Sequence, residues 1–331
     1  MHYEALFEKY KDISVAVLGD YCLDEYLWLN AALNEPSLET GHVAYQCVKR
    51  EASLGAAGNI AKNLVTLGVG AVHAVGYVGD DGRGLELCRG LDALGINRDA
   101  MISVPGRETP AYTKPWLKEN GATRELNRID IKNWTPTPHE VEDAIIGKVK
   151  GLAEKIDALI IMDQLAEKNC GVVTDAVRNA LGKIAQEYPE LIVYGDSRER
   201  IGKFENMIIK GNQHEITMAA FGREDLDAVP RACEILQERT GRPILCTVGE
   251  KGLRIYNDGA VIEIPGIPVS GSIDVTGAGD MVTAGFVSAL AAGACMDTSG
   301  RIANIAAAIC VQQLGTCGKV ATGAILEWIS R

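Results

Sequence analysis

The stretch Asp274-Val275-Thr276-Gly277-Ala278-Gly279-Asp280 is the part of the chain best equipped for chemistry. It is followed by apolar and small residues over 281–292, which predict a long buried helix. A Gly-Ala-Gly turn that feeds a helix presents bare backbone N–H groups at the positive end of the helix dipole. Such a turn suits phosphate oxygens, or the charge that builds up as a phosphoryl group is transferred. Asp280 falls in the first helical turn, beside those donors. A carboxylate there can take the proton of an attacking hydroxyl while the amides hold the transferred group. An Asp in that position is equally an ordinary helix cap, and the motif alone does not separate the two readings.

Three further polar turns bear on the choice. Residues 55–68 (GAAGNIAKNLVTLG) form a glycine-containing turn leading into a helix, Gly79-Asp80-Asp81-Gly82 closes a strand, and Thr247-Val248-Gly249-Glu250-Lys251-Gly252 follows the strand ILCTV. Each alone is an unremarkable tight turn, with Asn59 available as a cap. Ligands of open α/β sheets bind beyond the carboxyl ends of the strands, so several such turns at strand ends imply one shared crevice.

The elements that must position these turns alternate. Short apolar runs at 14–18, 71–78, 158–162, 191–194 and 208–209 read as buried strands, and helical spacing covers 57–67, 84–94, 138–154 and 170–186. That rhythm predicts an α/β fold with a mostly parallel sheet covered on both faces. Residues 26–50 and 109–129 break it with alternating segments such as AYTKPWL and TRELNRI, expected to be antiparallel strands outside the main sheet. Asn120-Gly121 is a hairpin signal, because both residue types tolerate positive φ. The expectation is one domain over 1–331, with a small β lid built from excursions at about 24–50 and 108–130. The lid offers Lys114, Arg124 and Arg128 as candidates for a substrate phosphate. A solvated face accounts for any single one of them.

Composition bounds the rest. The 331 residues are 47% hydrophobic and 23% charged, ordinary for a globular protein, and the net charge of -11 argues against nucleic acid or an anionic membrane surface as partner. Nine cysteines stand at 22, 47, 88, 170, 233, 246, 295, 310 and 317 with no CxxC pair, and the five histidines form no ligand-spaced set with them. This reads as reduced thiols in a cytoplasmic protein. The first residues, MHYEALFEKYKDIS, do not resemble a signal peptide, and no apolar run is long enough to span a membrane.

DVTGAGD resembles the second signature of the PfkB/ribokinase carbohydrate kinases, and LGAAGNIAKNLVTLG resembles their first. VGDDGRG, KGNQHE and TVGEKG are similar to other landmarks of that family in the same order. Within the family, VLGDYCLDEYLW and ANIAAAICVQQLGT are most similar to heptose-7-phosphate kinase domains. The resemblance implies a ribokinase-like three-layer sandwich with a β lid, ATP and Mg2+ as cofactors, and a small sugar or sugar phosphate as acceptor. It implies Asp280 as catalytic base and Gly277, Ala278 and Gly279 as anion hole. Asn212 and Glu215 match the element that supports magnesium through waters, and Thr247, Gly249 and Gly252 match the loop over the ATP phosphates. Asn304 matches a position beside the adenine, and Asp196 and Arg198 match a nucleotide-side position. Asp20 and Asp24 match an acidic turn that holds sugar hydroxyls, and Gly55 and Asn59 match the sugar-contacting part of the first signature. Lys114 and Arg128 join the substrate side. A flat lid face commonly needs covering, which implies a homodimer through the lid.

The sequence also departs from the family. Ala56 stands where the first signature has its second glycine, and segments 34–39 and 162–168 differ from those usual in heptose-phosphate kinases. Both segments are expected to touch substrate, so the acceptor stays open among a heptose phosphate, another sugar and a nucleoside. A non-catalytic binding protein on the same fold is disfavoured by the intact GAGD. A Rossmann dehydrogenase is disfavoured because VLGDYCLD stands where G-x-G-x-x-G would follow the first strand.

Overall fold

The computed structural model describes residues 3–313 and 318–330, so Cys317 and the end of the ANIAAAICVQQLGT segment lie outside the described residues. The strand Ser14–Gly19 shows why the chain folds as it does. Val15, Ala16, Val17 and Leu18 are all fully buried, and the period of two sends Val15 and Val17 into one core and Ala16 and Leu18 into another. A strand apolar on both sides must be covered on both sides.

Among the described residues, nine strands make the main sheet. In spatial order they are Ala260–Pro265, Gly252–Asn257, Ile244–Thr247, Ile208–Asn212, Ile192–Ser197, Ala158–Asp163, Ser14–Gly19, Ala71–Gly79 and Asn97–Val104. Neighbours run parallel except at the Gly252–Asn257 and Ala260–Pro265 edge, which is antiparallel. Helices Ala57–Thr66, Gly82–Ala93, Ala278–Ala291 and Met296–Cys310 pack into one core with the short terminal helices Tyr3–Glu8 and Thr322–Ile329. Helices His139–Leu152, Asp175–Glu187, Gln213–Phe221 and Val229–Thr240 fill the other. This is the expected three-layer α/β sandwich. The helix expected from residue 170 starts at Asp175, because the Thr174 hydroxyl caps it by accepting from Val177 N at 3.2 Å.

A second sheet stands over the strand ends, in the order Ile129–Ile131, Ala111–Glu119, Tyr21–Asn30 and Cys47–Ala56, with Ala122–Glu125 pairing Ala111–Glu119. The Asn120-Gly121 hairpin forms as expected, with φ of 50° and 82°. One expectation fails: the two long excursions meet as a parallel pair, Tyr21–Asn30 beside Ala111–Glu119. Each leaves the carboxyl end of a parallel main-sheet strand, Ser14–Gly19 or Asn97–Val104, so both set out in the same direction. The lid is tied down by Glu25, which is 3% exposed and accepts from Arg50 at 2.7 Å, Arg83 at 3.3 Å and Thr113 at 2.5 Å. Among the described residues, no helix is long and apolar enough to cross a membrane.

Candidate active site

Between the lid and the strand ends lies a cleft of about 1420 Å³. It gathers all the sequence-predicted site residues except Asp20, Gly55 and Arg124.

At its centre, Gly277 adopts φ 77° and turns the chain into the helix Ala278–Ala291, whose residues 281–289 are all buried. Positive φ favours glycine at this turn. Of the three amides expected to form an anion hole, that of Ala278 donates to the Val275 carbonyl at 3.1 Å. The N–H groups of Gly277, Gly279 and Asp280 meet no protein acceptor among the described residues. The Asp280 carboxylate is half-buried at this spot and accepts from Asn59 Nδ2 at 2.5 Å. Burial pushes its pKa up to about 6; Asn59 and Lys210 pull it down, and Asp196 adds to the rise.

Lys210 is the residue that sequence reasoning missed. Its Nζ lies 2.5 Å from Asp196 Oδ2, and a Cβ added at Gly279 would come within 3.2 Å of it. Burial weakens its hold on a proton, but Asp196 more than restores it, so the pKa lies above the usual lysine value. The available signal was a charged residue inside IIKGN, a strand otherwise buried on both faces. Lys132, Tyr112 and Cys22 also line the cleft unforeseen, and Gln164 lines it from the 162–168 segment.

Along the far wall, Asn212 and Glu215 form a capping box: Asn212 Oδ1 accepts from Glu215 N at 2.9 Å, and Glu215 Oε2 accepts from Asn212 N at 2.8 Å. Burial raises the Glu215 carboxyl. Gly249 and Gly252 hold φ of 58° and 97°, and a Cβ at Gly252 would sit 2.1 Å from the Ile264 carbonyl oxygen. Thr247 precedes them on the same wall, and Asn304 donates to the Pro265 carbonyl at 2.9 Å. Arg198 donates to Gln164 Oε1 at 3.2 Å.

The family model of the pfkB family carbohydrate kinases matches residues 29–322. The chain belongs to that family. It is therefore a phosphotransferase with an alcohol group as acceptor. Among curated relatives, the bifunctional protein HldE of Pelobacter propionicus is 30% identical over 88% of this chain, and that of Geobacter metallireducens 29% over 88%. The chain spans 58% of the length of those relatives. Arabidopsis thaliana ribokinase, solved with ribose and ATP, superposes with a TM-score of 0.72 at 19% identity over 96% of this chain and 99% of that one. Thermotoga maritima ribokinase gives 0.70 at 20% identity over 96% and 100%. These two likenesses establish the ribokinase-like fold.

On the lid side of this pfkB kinase, Lys114 Nζ donates to Asp24 Oδ1 at 3.0 Å and lies 5.1 Å from the Tyr26 ring centroid. Arg128 is held by both oxygens of Asp130, at 2.6 and 2.8 Å, and sits 5.1 Å over Tyr112. Arg124 is not brought to the cleft; it lies exposed, 3.8 Å from Glu119. Gly55 lies behind Asp24, where a Cβ would come within 2.7 Å of both Asp24 Oδ2 and Cys22 Sγ.

Asp20 corrects an expectation. It is 3% exposed, and its oxygens accept from the backbone N–H groups of Gln164, Leu165 and Val172 at 2.9, 3.0 and 2.7 Å. A carboxylate so buried and occupied clamps the loop after Ala158–Asp163 and does not line the cleft where a sugar would lie. Among the described residues, no group of three or more His, Cys, Asp and Glu is placed to hold a metal. Isolated carboxylates such as Glu215 fit an ion such as Mg2+ that keeps most of its waters.

Proposed function

We propose that this kinase uses ATP with Mg2+ to phosphorylate a hydroxyl of a sugar that already carries a phosphate, in the manner of a heptose-7-phosphate 1-kinase. The observation that carries the reading is the Asp280 carboxylate beside the unengaged amides of Gly277, Gly279 and Asp280, in the cleft that Arg128, Lys132, Lys114 and Arg198 also line. Asp280 takes the hydroxyl proton. The amides and Lys210 bear the charge of the group in transfer, an effect that usually dominates such chemistry. ATP lies along Asn212, Thr247, Gly249, Gly252 and Asn304, with Asp196 beside it, and Glu215 supports Mg2+ through waters. The sugar lies under the lid against Asp24, Asn59 and Lys114. Lid closure keeps water from the phosphoryl group. Similarity to HldE supports a heptose phosphate.

One observation favours a neutral sugar instead: Lys114 and Arg128 are each already paired with a carboxylate. An ADP-release assay over D-glycero-D-manno-heptose 7-phosphate, fructose 6-phosphate, ribose and adenosine separates these readings. Preference for a phosphorylated sugar supports the proposal. Preference for ribose or adenosine overturns the substrate class, and nucleotide binding with no turnover on any acceptor overturns catalysis.

The same proposal includes a homodimer through the lid. Leu33, Val43, Tyr45 and Val48 are more than half exposed there, and apolar area of this kind on a strand edge is ordinarily covered. Light scattering at a mass of one chain would overturn it.

A further inference from the structure

We propose that Gln164 is the positioning residue of Arg198: its amide oxygen holds the guanidinium at the seam between the acceptor wall and the nucleotide wall, where the arginine bears charge of the terminal phosphate before and during transfer. This rests on the kinase reading given above. It adds to that reading a cation and the group that aims it.

The sheet dictates the placement. In the parallel ladders Met162 stands beside Asp196, and Asp196 beside Lys210. These three share one face, and all of them line the cleft. Two residues further on, where the strands end, Gln164, Arg198 and Asn212 line the cleft as well. Arg198 is the middle member, with the acceptor loop on one side and the Asn212–Glu215 capping box on the other. Both main chains are pinned: Gln164 N donates to Asp20 Oδ2 at 2.9 Å, and Arg198 N donates to the Asp163 carbonyl at 3.2 Å. The side chains are what is left to adjust.

Arg198 is also a cation with charge to spare. Of the six that line the cleft, Lys114, Arg128, Lys132 and Lys210 are ion-paired, whereas Arg198 and Lys251 form no ion pair among the described residues. Of these two, only Arg198 adjoins the Asp196–Lys210 pair in the sheet register. A guanidinium presents a planar fork that suits phosphate oxygens. An exposed arginine samples many rotamers, however, and holding one of them costs entropy. Burial raises the Glu215 carboxyl, and Lys210 and Arg198 both oppose the rise, so that carboxylate lies within range to draw the guanidinium aside. The hydrogen bond from Arg198 Nε to Gln164 Oε1 at 3.2 Å opposes the swing and leaves both terminal nitrogens without a protein partner among the described residues. An arginine only donates, so Gln164 must offer it the oxygen and turn its NH2 away. The Tyr112 hydroxyl of the lid is the other group that the Gln164 side chain meets.

A double-mutant cycle tests the pair. With D-glycero-D-manno-heptose 7-phosphate and ATP, Arg198→Met should lower kcat about 100-fold and Gln164→Met about tenfold. Because Gln164 acts through Arg198, the double variant should be no slower than Arg198→Met alone. The sugar KM of Gln164→Met should hold within about twofold. Losses that multiply in the double variant overturn the proposal. So does a raised sugar KM with kcat retained, which would make Gln164 an acceptor ligand. Gln164→Ala repeats the cycle should Gln164→Met fail to fold. A second arm needs no turnover. Calorimetric titration of the same four proteins with a nonhydrolysable ATP analogue and Mg2+ should show binding about tenfold weaker in Arg198→Met, about threefold weaker in Gln164→Met, and no further loss in the double variant. Equal affinity across all four overturns the proposal. A wild type that binds the analogue but turns over no acceptor would defeat the kinase reading, and the titration would still judge the pair.

Discussion

Nζ of Lys210 lies 2.5 Å from Oδ2 of Asp196, and neither side chain is more than 9% exposed. A charge pair so enclosed leaves a severe imbalance when one member is removed. Lys210→Met strands the Asp196 carboxylate and should cost about 3–5 kcal/mol of stability. It also removes the cation beside Gly279, so turnover should fall about 10²–10³-fold. Adding Asp196→Asn to Lys210→Met should recover most of the stability and none of the turnover. Denaturant melts and initial rates on the three variants check both halves, and a double variant that regains activity would count against a role for Lys210 in transfer.

Asp20→Asn tests the loop clamp. Replacing an oxygen by NH2 sets a donor against one of the three backbone N–H groups of Gln164, Leu165 and Val172. The expected loss is about 1–3 kcal/mol, with the sugar KM little changed in the folded enzyme. A large KM rise at unchanged stability would restore Asp20 to the substrate side.

The contrast between Asp20 and Asp280 marks how far the sequence could be read. Six of the nine main-sheet strands were legible because burial on both faces writes a continuous apolar run, as in residues 15–18; Asn97–Val104, Gly252–Asn257 and Ala260–Pro265, at the two ends of the sheet, were not. The GAGD turn was legible because a left-handed Gly277 and a first-turn acid have fixed local spacing. What stayed hidden was set by partners distant in the chain. Asp20 and Asp24 look alike in VLGDYCLDEYLW, and only the arrival of the 164–172 backbone occupies one of them. Lys210 acquires its place through Asp196 and Gly279, and the parallel pairing of the lid strands follows from their exits from the main sheet, neither of which local spacing records.

Asp280→Asn should separate activity from stability. The folded chain holds this proton with a pKa of about 6, raised chiefly by burial, against about 4 unfolded. Between those values the folded state binds more protons, so stability falls as pH rises through about 4–6 and a fixed penalty persists above. Removing the charge should raise stability by roughly 1 kcal/mol at pH 8, allowing for the solvent that reaches the cleft, and by nothing near pH 4. Turnover should fall about 10²–10⁴-fold, with ATP binding largely spared. Thermal melts at the two pH values, read beside kinetics and nucleotide titration, give the comparison. Near-wild-type turnover would count directly against the base assignment.

Ala56 and Gly55 should respond in opposite directions. Ala56 is held at φ 48° and ψ -119° as the chain passes from the lid into the Asn59 helix, a region that a Cβ makes costly by about 1–3 kcal/mol. Glycine there relieves the strain but loosens the unfolded chain, at about 0.4–1 kcal/mol. Ala56→Gly should therefore stabilise by roughly 1 kcal/mol on balance. It would also restore the second glycine of the first signature. At the neighbouring position the methyl has no room: Gly55→Ala would press on Asp24 Oδ2 and Cys22 Sγ at 2.7 Å, disturbing the Asp24–Lys114 pair, lowering stability and raising the sugar KM. Melting midpoints of the two variants measured side by side decide the matter, since a destabilised Ala56→Gly would mean that packing of its methyl outweighs the backbone strain.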